Sequence, residues 1–276
     1  MGQLPASSEV CPYHDYLLSL GMKLNFKTFG QGPPLIILHG LFGMLDNWQT
    51  AAKQLSDNFM VFILDQRNHG RSPHVDGIDY PSMANDLKIF MEDNWVHEAH
   101  LLGHSMGGKT VMQFALEYPE MVDKLIVVDI APKAYAGGHQ LIFEALQSLQ
   151  LDTVQSRSEA DQKLGQLVVD MGIRQFLLKN LSRDKNTGGF RWKMNLGIIA
   201  RDYPKIIAGI DTDGHFEGDT LFVRGEKSDY IEATDEESIK GLFPSAQVET
   251  IEGAGHWVHA ERPQALLKTV RQFLEN

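Results

Sequence analysis

The sequence predicts a layered α/β protein, with a mostly parallel sheet flanked by helices and with one inserted helical segment. Three observations predict it. Short apolar runs recur along the chain, amphipathic stretches separate them, and the alternation stops between residues 133 and 218. Apolar runs of this length, unbroken by polar residues, are typical of strands buried on both faces of a parallel sheet. Strands that alternate with helices indicate a layered α/β fold.

The predicted elements follow one another at regular intervals. An alternating run from Met22 to Phe29 predicts the first strand. Buried strands are predicted at Leu35–Leu38, Met60–Leu64, His100–Leu102, Leu125–Val128 and Leu221–Val223. Between them, apolar residues at spacings of three and four predict helices, as at Met83, Leu87, Phe90 and Met91. The chain ends with a predicted helix near Thr234–Leu242, a strand near Gln247–Ile251 and a helix over Pro263–Leu274.

The expected organisation is one domain with an insertion. Residues 22–132 and 219–276 form the core, and residues 133–218, here termed the cap, form a helical insertion in which strands are not expected. A turn is predicted at the glycine-rich stretch Asn186–Gly189. Residues 1–21 match no pattern of this fold and are interpreted as an N-terminal extension or leader.

Composition excludes several classes of function. The 276 residues carry 25 Lys and Arg against 36 Asp and Glu, a formal charge of −11, so nucleic acid and anionic membrane surfaces are not expected as partners. No apolar segment is long enough to span a bilayer, and no signal-peptide pattern is visible. The single cysteine, Cys11, cannot form an internal disulfide, so the chain does not need an oxidising compartment and the cytoplasm is expected. We expect a monomer or homodimer that acts on a small molecule.

The stretch Gly103-His-Ser-Met-Gly107 lies between a predicted strand and a predicted helix. This is a G-x-S-x-G motif, and it lies on a turn from a strand to a helix, as the motif requires. A sharp turn from strand to helix strains its central residue, and the residues two before and two after must lack side chains to avoid collision. Ser105 is therefore the candidate nucleophile, at a helix start where free N–H groups can stabilise an anion.

The same stretch also matches a nucleotide-binding motif. Residues Gly103 to Thr110 read G-x-x-x-x-G-K-T, a phosphate-binding P-loop, with Asp129 at the end of a strand as a possible magnesium ligand. A P-loop usually follows the first strand of its domain, whereas three predicted strands precede this one. The P-loop interpretation also gives no role to the motifs around His39 and His256.

Two further motifs complete a hydrolytic site. The strand Leu35–Leu38 runs into His39-Gly-Leu-Phe-Gly43, a loop expected to donate one backbone N–H to an oxyanion, while the residue after the nucleophile donates the other. These donors are assigned to Leu41 and Met106. His256, in the loop between the last strand and the last helix, is the predicted general base, in preference to His259.

The acid of the triad has two candidates in the residues alone. Asp129 and Asp229 each follow a predicted strand, and either could orient the imidazole and offset its developing charge. Neither motif spacing nor strand order separates them.

The motifs taken together resemble the α/β-hydrolase superfamily from about Met22 to the C-terminus. They are His39-Gly-Leu-Phe-Gly43 with Trp48, Asp65-Gln-Arg-Asn-His-Gly-Arg-Ser72, Gly103–Gly107 and Gly253–Glu261. Arg67-Asn-His-Gly70, Val128-Asp-Ile-Ala-Pro132 and Phe190-Arg-Trp192 resemble more narrowly the small esterases of the YbfF type. These lack the acid at the position where this chain has Ser228, and the resemblance therefore favours Asp129 over Asp229.

The resemblance implies an α/β-hydrolase fold and a cytoplasmic serine esterase or acyl-CoA thioesterase for short to medium acyl groups. The reaction would pass through an acyl-enzyme on Ser105, with no metal and no other cofactor. Phe42, Trp48 and Trp192 are expected to contact the substrate. Alternatives are a carbon–carbon bond hydrolase or lyase of the menaquinone-pathway type, a ligand receptor with slow turnover, and the P-loop protein.

Overall fold

A seven-stranded sheet organises the chain. The computed structural model describes residues 22–185 and 188–276, so the predicted N-terminal extension, residues 1–21, lies outside the described residues. The strands of the sheet are β1 Phe26–Phe29, β2 Pro34–Leu38, β3 Met60–Leu64, β4 Ala99–His104, β5 Val122–Val128, β8 Thr220–Gly225 and β9 Ala246–Ile251. They lie in the order β1-β3-β2-β4-β5-β8-β9, in which β1 is antiparallel to β3 and the other pairings are parallel.

Helices connect the strands of the sheet and make up most of the cap. In the core they are α1 Gln49–Leu55, α2 Tyr80–Asp93, α3 Met106–Glu117, α9 Glu236–Leu242, α10 Val258–Glu261 and α11 Pro263–Glu275. In the cap they are α4 Gln140–Ser148, α5 Arg157–Leu164, α6 Met171–Leu178, α7 Leu196–Arg201 and α8 Tyr203–Ile207. Short 3-10 helices cover Leu45–Trp48, Pro119–Met121 and Ala233–Asp235.

The inner strands of the sheet are buried on both faces, as their apolar sequences predict, whereas the edge strands β1 and β9 are largely exposed. In β2, Ile36 and Leu38 pack into the core on one face, while Leu35 and Ile37 pack into the core on the other. All four side chains are at most 1% exposed. Because parallel strands need helices on both sides to exclude water, this alternation explains why the run has no polar residue.

The cap differs from its prediction in one respect. Leu181–Arg183 and Phe190–Trp192 form strands β6 and β7, which pair antiparallel to each other and not with the main sheet. The expectation that strands are absent from the cap is therefore wrong. Three-residue strands have too few residues for a period of two to be visible, and only the glycine-rich stretch between them indicated a turn.

Above helix α3, the start of the cap lies beside residues 207–210 of the cap. Tyr135 N donates to Ile207 O and Ile210 N donates to Pro132 O, each over 2.8 Å. Lys109, on α3 and 1% exposed, donates its ammonium to the carbonyl groups of Lys133 (2.8 Å) and Ala208. Burial lowers the pKa of Lys109 to about 7. One lysine of the core therefore binds both the first residue of the cap and the residue that follows helix α8.

The first turn of α3 passes close under strand β2. A Cβ atom placed on Gly107 would lie 2.6 Å from the carbonyl oxygens of both Leu38 and His39. These are backbone atoms at the carboxyl end of a central strand and cannot move aside as a flexible side chain would. The glycine therefore fixes how near the helix comes to the strand.

We predict that Gly107→Ala lowers the free energy of unfolding by about 1–3 kcal/mol, because the added methyl group separates α3 from β2. Gly241→Ala is the matched control. A Cβ there has no atom within 4 Å, and alanine in the helix raises the free energy of unfolding by about 0.5–1 kcal/mol. Urea unfolding curves measure both. Equal effects of the two substitutions would contradict the close-packing argument.

Candidate active site

Ser105 occupies a strained turn between β4 and α3. Its backbone has φ 52° and ψ −119°, outside the regions that side chains normally allow. The turn is possible because its neighbours lack side chains: a Cβ on Gly103 would lie 2.1 Å from the carbonyl oxygen of Gly107. The Ser105 amide donates to Val128 O over 3.0 Å, which secures the turn to the neighbouring strand. Its hydroxyl is thus presented at the carboxyl edge of the sheet.

His256 lies between Ser105 and Asp129. Its Nε2 is 3.0 Å from Ser105 Oγ, and its Nδ1 is 2.8 Å from Asp129 Oδ2. The imidazole stacks on the ring of Tyr230, with centroids 3.8 Å apart and an angle of 17°. Its backbone carbonyl accepts a hydrogen bond from His104 Nε2 over 2.8 Å. These contacts fix both the position and the plane of the ring.

The Asp129 carboxylate accepts three hydrogen bonds and is fully buried. Besides His256 Nδ1, Gly225 N donates to Oδ1 over 2.8 Å and Ser228 Oγ donates to Oδ2. Ser228 occupies the position at which the resemblance to YbfF-type esterases implies that no acid is present. Its hydroxyl binds the carboxylate of Asp129, which directly follows the neighbouring parallel strand β5. Asp229 is exposed, lines a cavity whose wall does not include His256, and makes no hydrogen bond or ion pair with His256 within the described residues.

Leu41 and Met106, the two predicted amide donors of an oxyanion site, line one cavity together with Ser105. In the described part of the chain their N–H groups have no acceptor. A Cβ on Gly40 would lie 3.1 Å from Ser105 Cβ, so the loop after β2 passes very near the serine. Phe42 has a left-handed φ of 59°, and the buried cap residue Asn180 donates Nδ2 to its carbonyl over 2.6 Å.

Buried neutral histidines surround this site. Burial lowers the pKa of His39 and of His139 to about 4, and that of His69 and of His259 to about 3, and it holds the pKa of His104 well below its usual range. His39 Nδ1 donates to Gly40 O, and its Nε2 accepts from Gln66 N, so His39 shapes the loop. His259 stacks on Trp48 with centroids 4.7 Å apart, inside helix α10.

Two cavities meet at Ser105. The first chamber, of about 240 Å³, is mainly apolar and includes His256, Ile173, Phe176 and Trp257 in its wall. The second chamber, of about 280 Å³, has Tyr80, Met106, Tyr135, Tyr203, Ile207 and Asp229 in its wall. Ser105, Leu41, His139 and Tyr230 contribute to both.

The structure places the three predicted substrate contacts in two different regions. Phe42 and Trp48 line the first chamber. Trp192 lines neither chamber, and its expected position in the substrate pocket is wrong: it lies in β7, at a surface groove shared with Arg71, Arg183 and Arg191. Sequence spacing could not predict this, because the direction of the side chain depends on the β6–β7 pairing.

The P-loop interpretation of Gly103–Thr110 does not fit the structure. A P-loop lysine must reach a bound phosphate, whereas the Lys109 ammonium is buried against two carbonyl groups and lies 4.8 Å from the centre of the Tyr135 ring. Thr110 Oγ1 is likewise buried, and it donates to Gln66 Oε1 over 2.9 Å. Within residues 22–185 and 188–276, no group of three or more metal-ligating side chains is placed to hold an ion.

Three residues that contribute to the geometry were not found from the sequence. Ser228 contacts the acid, Tyr230 stacks on the imidazole, and Asn180 binds the carbonyl of Phe42. Ser228 carried a signal, since it replaces an acid in an otherwise matching motif. Tyr230 and Asn180 carried none, because the first follows a strand without any motif and the second lies in the cap.

The arrangement is suited to acyl transfer. A serine hydroxyl 3.0 Å from an imidazole nitrogen can lose its proton to it, and a carboxylate on the opposite ring nitrogen stabilises the imidazolium that forms. Two free amides, at the start of α3 and in the loop after β2, can bind the resulting oxyanion.

Among the helices of the described residues, none combines the length and the apolar character that a membrane span requires.

Comparison with known families extends over most of the chain. Residues 33–263 match the profile of the family described as alpha/beta hydrolase fold. A solved structure, described as a marine microorganism esterase, has a TM-score of 0.88 and 42% sequence identity, and the alignment covers 92% of this chain and all of that one.

Two curated relatives are 40% and 35% identical to this chain. The sn-1-specific diacylglycerol lipase ABHD11 of Xenopus laevis is 40% identical over 253 residues, which cover 89% of this chain and 80% of the relative. The esterase YbfF of Escherichia coli is 35% identical over 261 residues, which cover 92% of this chain and 100% of the relative.

We predict that Asp129→Asn lowers kcat for a carboxylic ester by a factor on the order of 10³–10⁴, because an amide at this position no longer stabilises the imidazolium. Asp229→Asn, which removes a charge of the same kind close by, leaves kcat near that of the wild type. Steady-state kinetics of both variants decide between the two carboxylates. A larger loss in Asp229→Asn would assign the acid to Asp229 instead.

The buried histidines predict acid sensitivity. His259 stays neutral in the folded protein down to about pH 3, whereas in the unfolded chain it binds a proton near its ordinary pKa of about 6.5. The unfolded state therefore gains protons as pH falls from about 6.5 to 3, and the free energy of unfolding decreases over this range by up to about 1.4 kcal/mol per pH unit for this residue.

His259→Phe keeps a ring against Trp48 and removes this proton linkage. We expect the slope of unfolding free energy against pH, measured in urea between pH 6 and 4, to be smaller in His259→Phe than in the wild type. His97→Phe, at an exposed position, serves as the control. Identical slopes for the wild type and His259→Phe would contradict the buried neutral state.

Proposed function

The chain belongs to the α/β-hydrolase fold family, and on that premise we propose that it is a serine esterase for short to medium acyl esters and acyl thioesters. The observation that carries the proposal is the chain of contacts from Ser105 Oγ through His256 to Asp129, at the junction of two cavities. The relatives named as esterases and as a lipase support the same class of reaction.

The proposed reaction has two steps. His256 Nε2 takes the Ser105 proton while Oγ attacks the carbonyl carbon, and the oxyanion accepts hydrogen bonds from the amides of Leu41 and Met106. The imidazolium then gives its proton to the leaving oxygen or sulfur, which departs and leaves an acyl-enzyme. A water molecule, deprotonated by the same imidazole, attacks the acyl carbon and releases the acid.

Because both chambers include Ser105 in their walls, a substrate whose carbonyl group lies at Ser105 has its leaving group in one chamber and its acyl chain in the other. The leaving atom must lie beside His256 Nε2 to be protonated, and His256 lines the first chamber but not the second. We therefore assign the leaving group to the first chamber and the acyl chain to the second, which Met106 lines. The apolar wall of the first chamber favours a leaving group with a hydrocarbon portion.

A fluorophosphonate probe together with a panel of esters tests this function. The wild type is expected to react covalently with the probe and to hydrolyse the panel, while Ser105→Ala does neither, because the attacking oxygen is absent. Ser245→Ala, at an exposed position outside both chambers, is the control and retains both activities. Probe labelling that persists in Ser105→Ala would contradict the proposed nucleophile.

The same panel tests the chamber assignment. Ile207→Trp narrows the second chamber and is expected to shift the preference toward shorter acyl chains at constant alcohol. Ile173→Trp narrows the first chamber and is expected to shift the preference toward smaller alcohols at constant acyl chain. An exchange of these two effects would reverse the assignment and leave the esterase function standing.

A further inference from the structure

A third cavity lies apart from the two chambers, at the boundary between core and cap. This basic groove, of about 460 Å³, is lined on the core side by the loop after β3 and on the cap side by β6, β7 and the residue that follows β7. Its lining residues are Gly70, Arg71, Ser72, His74, Ser182, Arg183, Arg191, Trp192 and Lys193. It shares no lining residue with either chamber.

The groove concentrates positive charge in a protein of formal charge −11. Four cationic side chains line it and no carboxylate does. The side chains of Arg71 and Arg191 are exposed and form no hydrogen bond or ion pair within the described ranges. Arg183 lies over the Phe190 ring at 4.2 Å and donates to the carbonyl groups of Gly188 and Gln155, so its charge is oriented but not neutralised.

Lys193 is the fourth cation of the groove. Its ammonium donates to the carbonyl of Lys179 over 2.9 Å and makes no ion pair within the described residues. Burial, together with the charges of Arg157 and Arg71, holds the pKa of Lys193 below its usual range, although Asp46 and Asp65 act in the opposite direction. An anion in the groove would relieve this repulsion between cations.

The core side of the groove is rigid. Gly70 has a left-handed φ of 58°, and a Cβ there would lie 2.2 Å from the Asp65 carboxyl carbon. That carboxylate accepts the Arg71 amide over 2.8 Å, which fixes where the Arg71 side chain begins. His74 Nε2 donates to the carbonyl of Lys193 over 3.0 Å, so the loop and the cap are held at a set separation.

Trp192 supplies an apolar surface beside the cations. It is half-buried and lines the groove, where its indole ring can pack on a planar or apolar part of a ligand. Arginine side chains bind phosphate oxygens through two parallel hydrogen bonds, a geometry that a single ammonium group lacks. Arginines next to an indole ring suit an organic phosphate better than a simple halide or carboxylate ion.

We propose that the basic groove binds the phosphate group of an organic phosphate ester, with Arg71 from the core and Arg191 from the cap as its principal ligands. The phosphate is bound between the two parts of the fold, and Trp192 packs on the organic portion. Soluble nucleotides and the headgroups of anionic lipids share this chemistry. The groove is a site separate from Ser105, and its occupation does not depend on the esterase reaction.

Binding is tested on the full-length protein with three probes: inorganic pyrophosphate, ADP, and vesicles of phosphatidylcholine with and without phosphatidic acid. Isothermal titration calorimetry measures the first two and co-sedimentation the third. The variant is Arg71→Gln combined with Arg191→Gln. The control is Arg271→Gln, which removes one positive charge on helix α11, outside the groove.

The wild type and Arg271→Gln are expected to bind at least one phosphate probe, and the double variant to bind it at least about tenfold more weakly, since each lost guanidinium removes a charge-assisted hydrogen bond. Tighter binding of ADP than of pyrophosphate, lost in Trp192→Ala, identifies a base-bearing ligand. Binding only to vesicles with phosphatidic acid identifies a lipid headgroup.

Absence of binding to all three probes, or equal affinities in the wild type and the double variant, overturns the proposal. Ester hydrolysis by the double variant, measured in parallel, separates this outcome from a failure of the esterase function, because neither arginine lies in a chamber. If Arg271→Gln lowers the affinity as much as the double variant does, the proposal is also overturned, since net charge alone would then explain the binding.

Discussion

The Asp129 carboxylate is the point on which the geometry of the candidate site depends. It receives hydrogen bonds from β8, through Gly225, from the turn that follows β8, through Ser228, and from His256 near the C-terminus. A buried carboxylate is tolerated only where several donors replace its water. Its three donors come from segments about one hundred residues or more away along the chain. The position of the imidazole is thus set by correct pairing of β5 with β8.

The environment of His256 differs from that of the other histidines near the site. His39, His104 and His259 are buried without a carboxylate contact, and burial lowers the pKa of each. They behave as neutral rings that donate to carbonyl groups, as His39 and His104 do, or stack, as His259 does. His256 is the member of this group that contacts a carboxylate. A negative charge therefore lies beside this ring and beside none of the other three.

Much of the core could be predicted from the sequence, because the constraints there are local. The turn at Ser105 needs glycines two residues away on either side, and sheet strands buried on both faces must be apolar throughout. Asp129 required the family resemblance, since two carboxylates end neighbouring strands. The β6–β7 pairing, Asn180 and the true position of Trp192 could not be predicted, because in the cap the direction of a side chain follows from contacts between short segments distant in sequence.

The junction at Lys109 bears on how such a chain can be altered. Two hydrogen bonds, from Tyr135 N to Ile207 O and from Ile210 N to Pro132 O, join the ends of the stretch 135–207, which therefore begins and ends at nearly the same point. Segments with adjoining ends can be exchanged without displacing what lies on either side. A different segment grafted at this junction would meet the same sheet, the same serine turn and the same lysine.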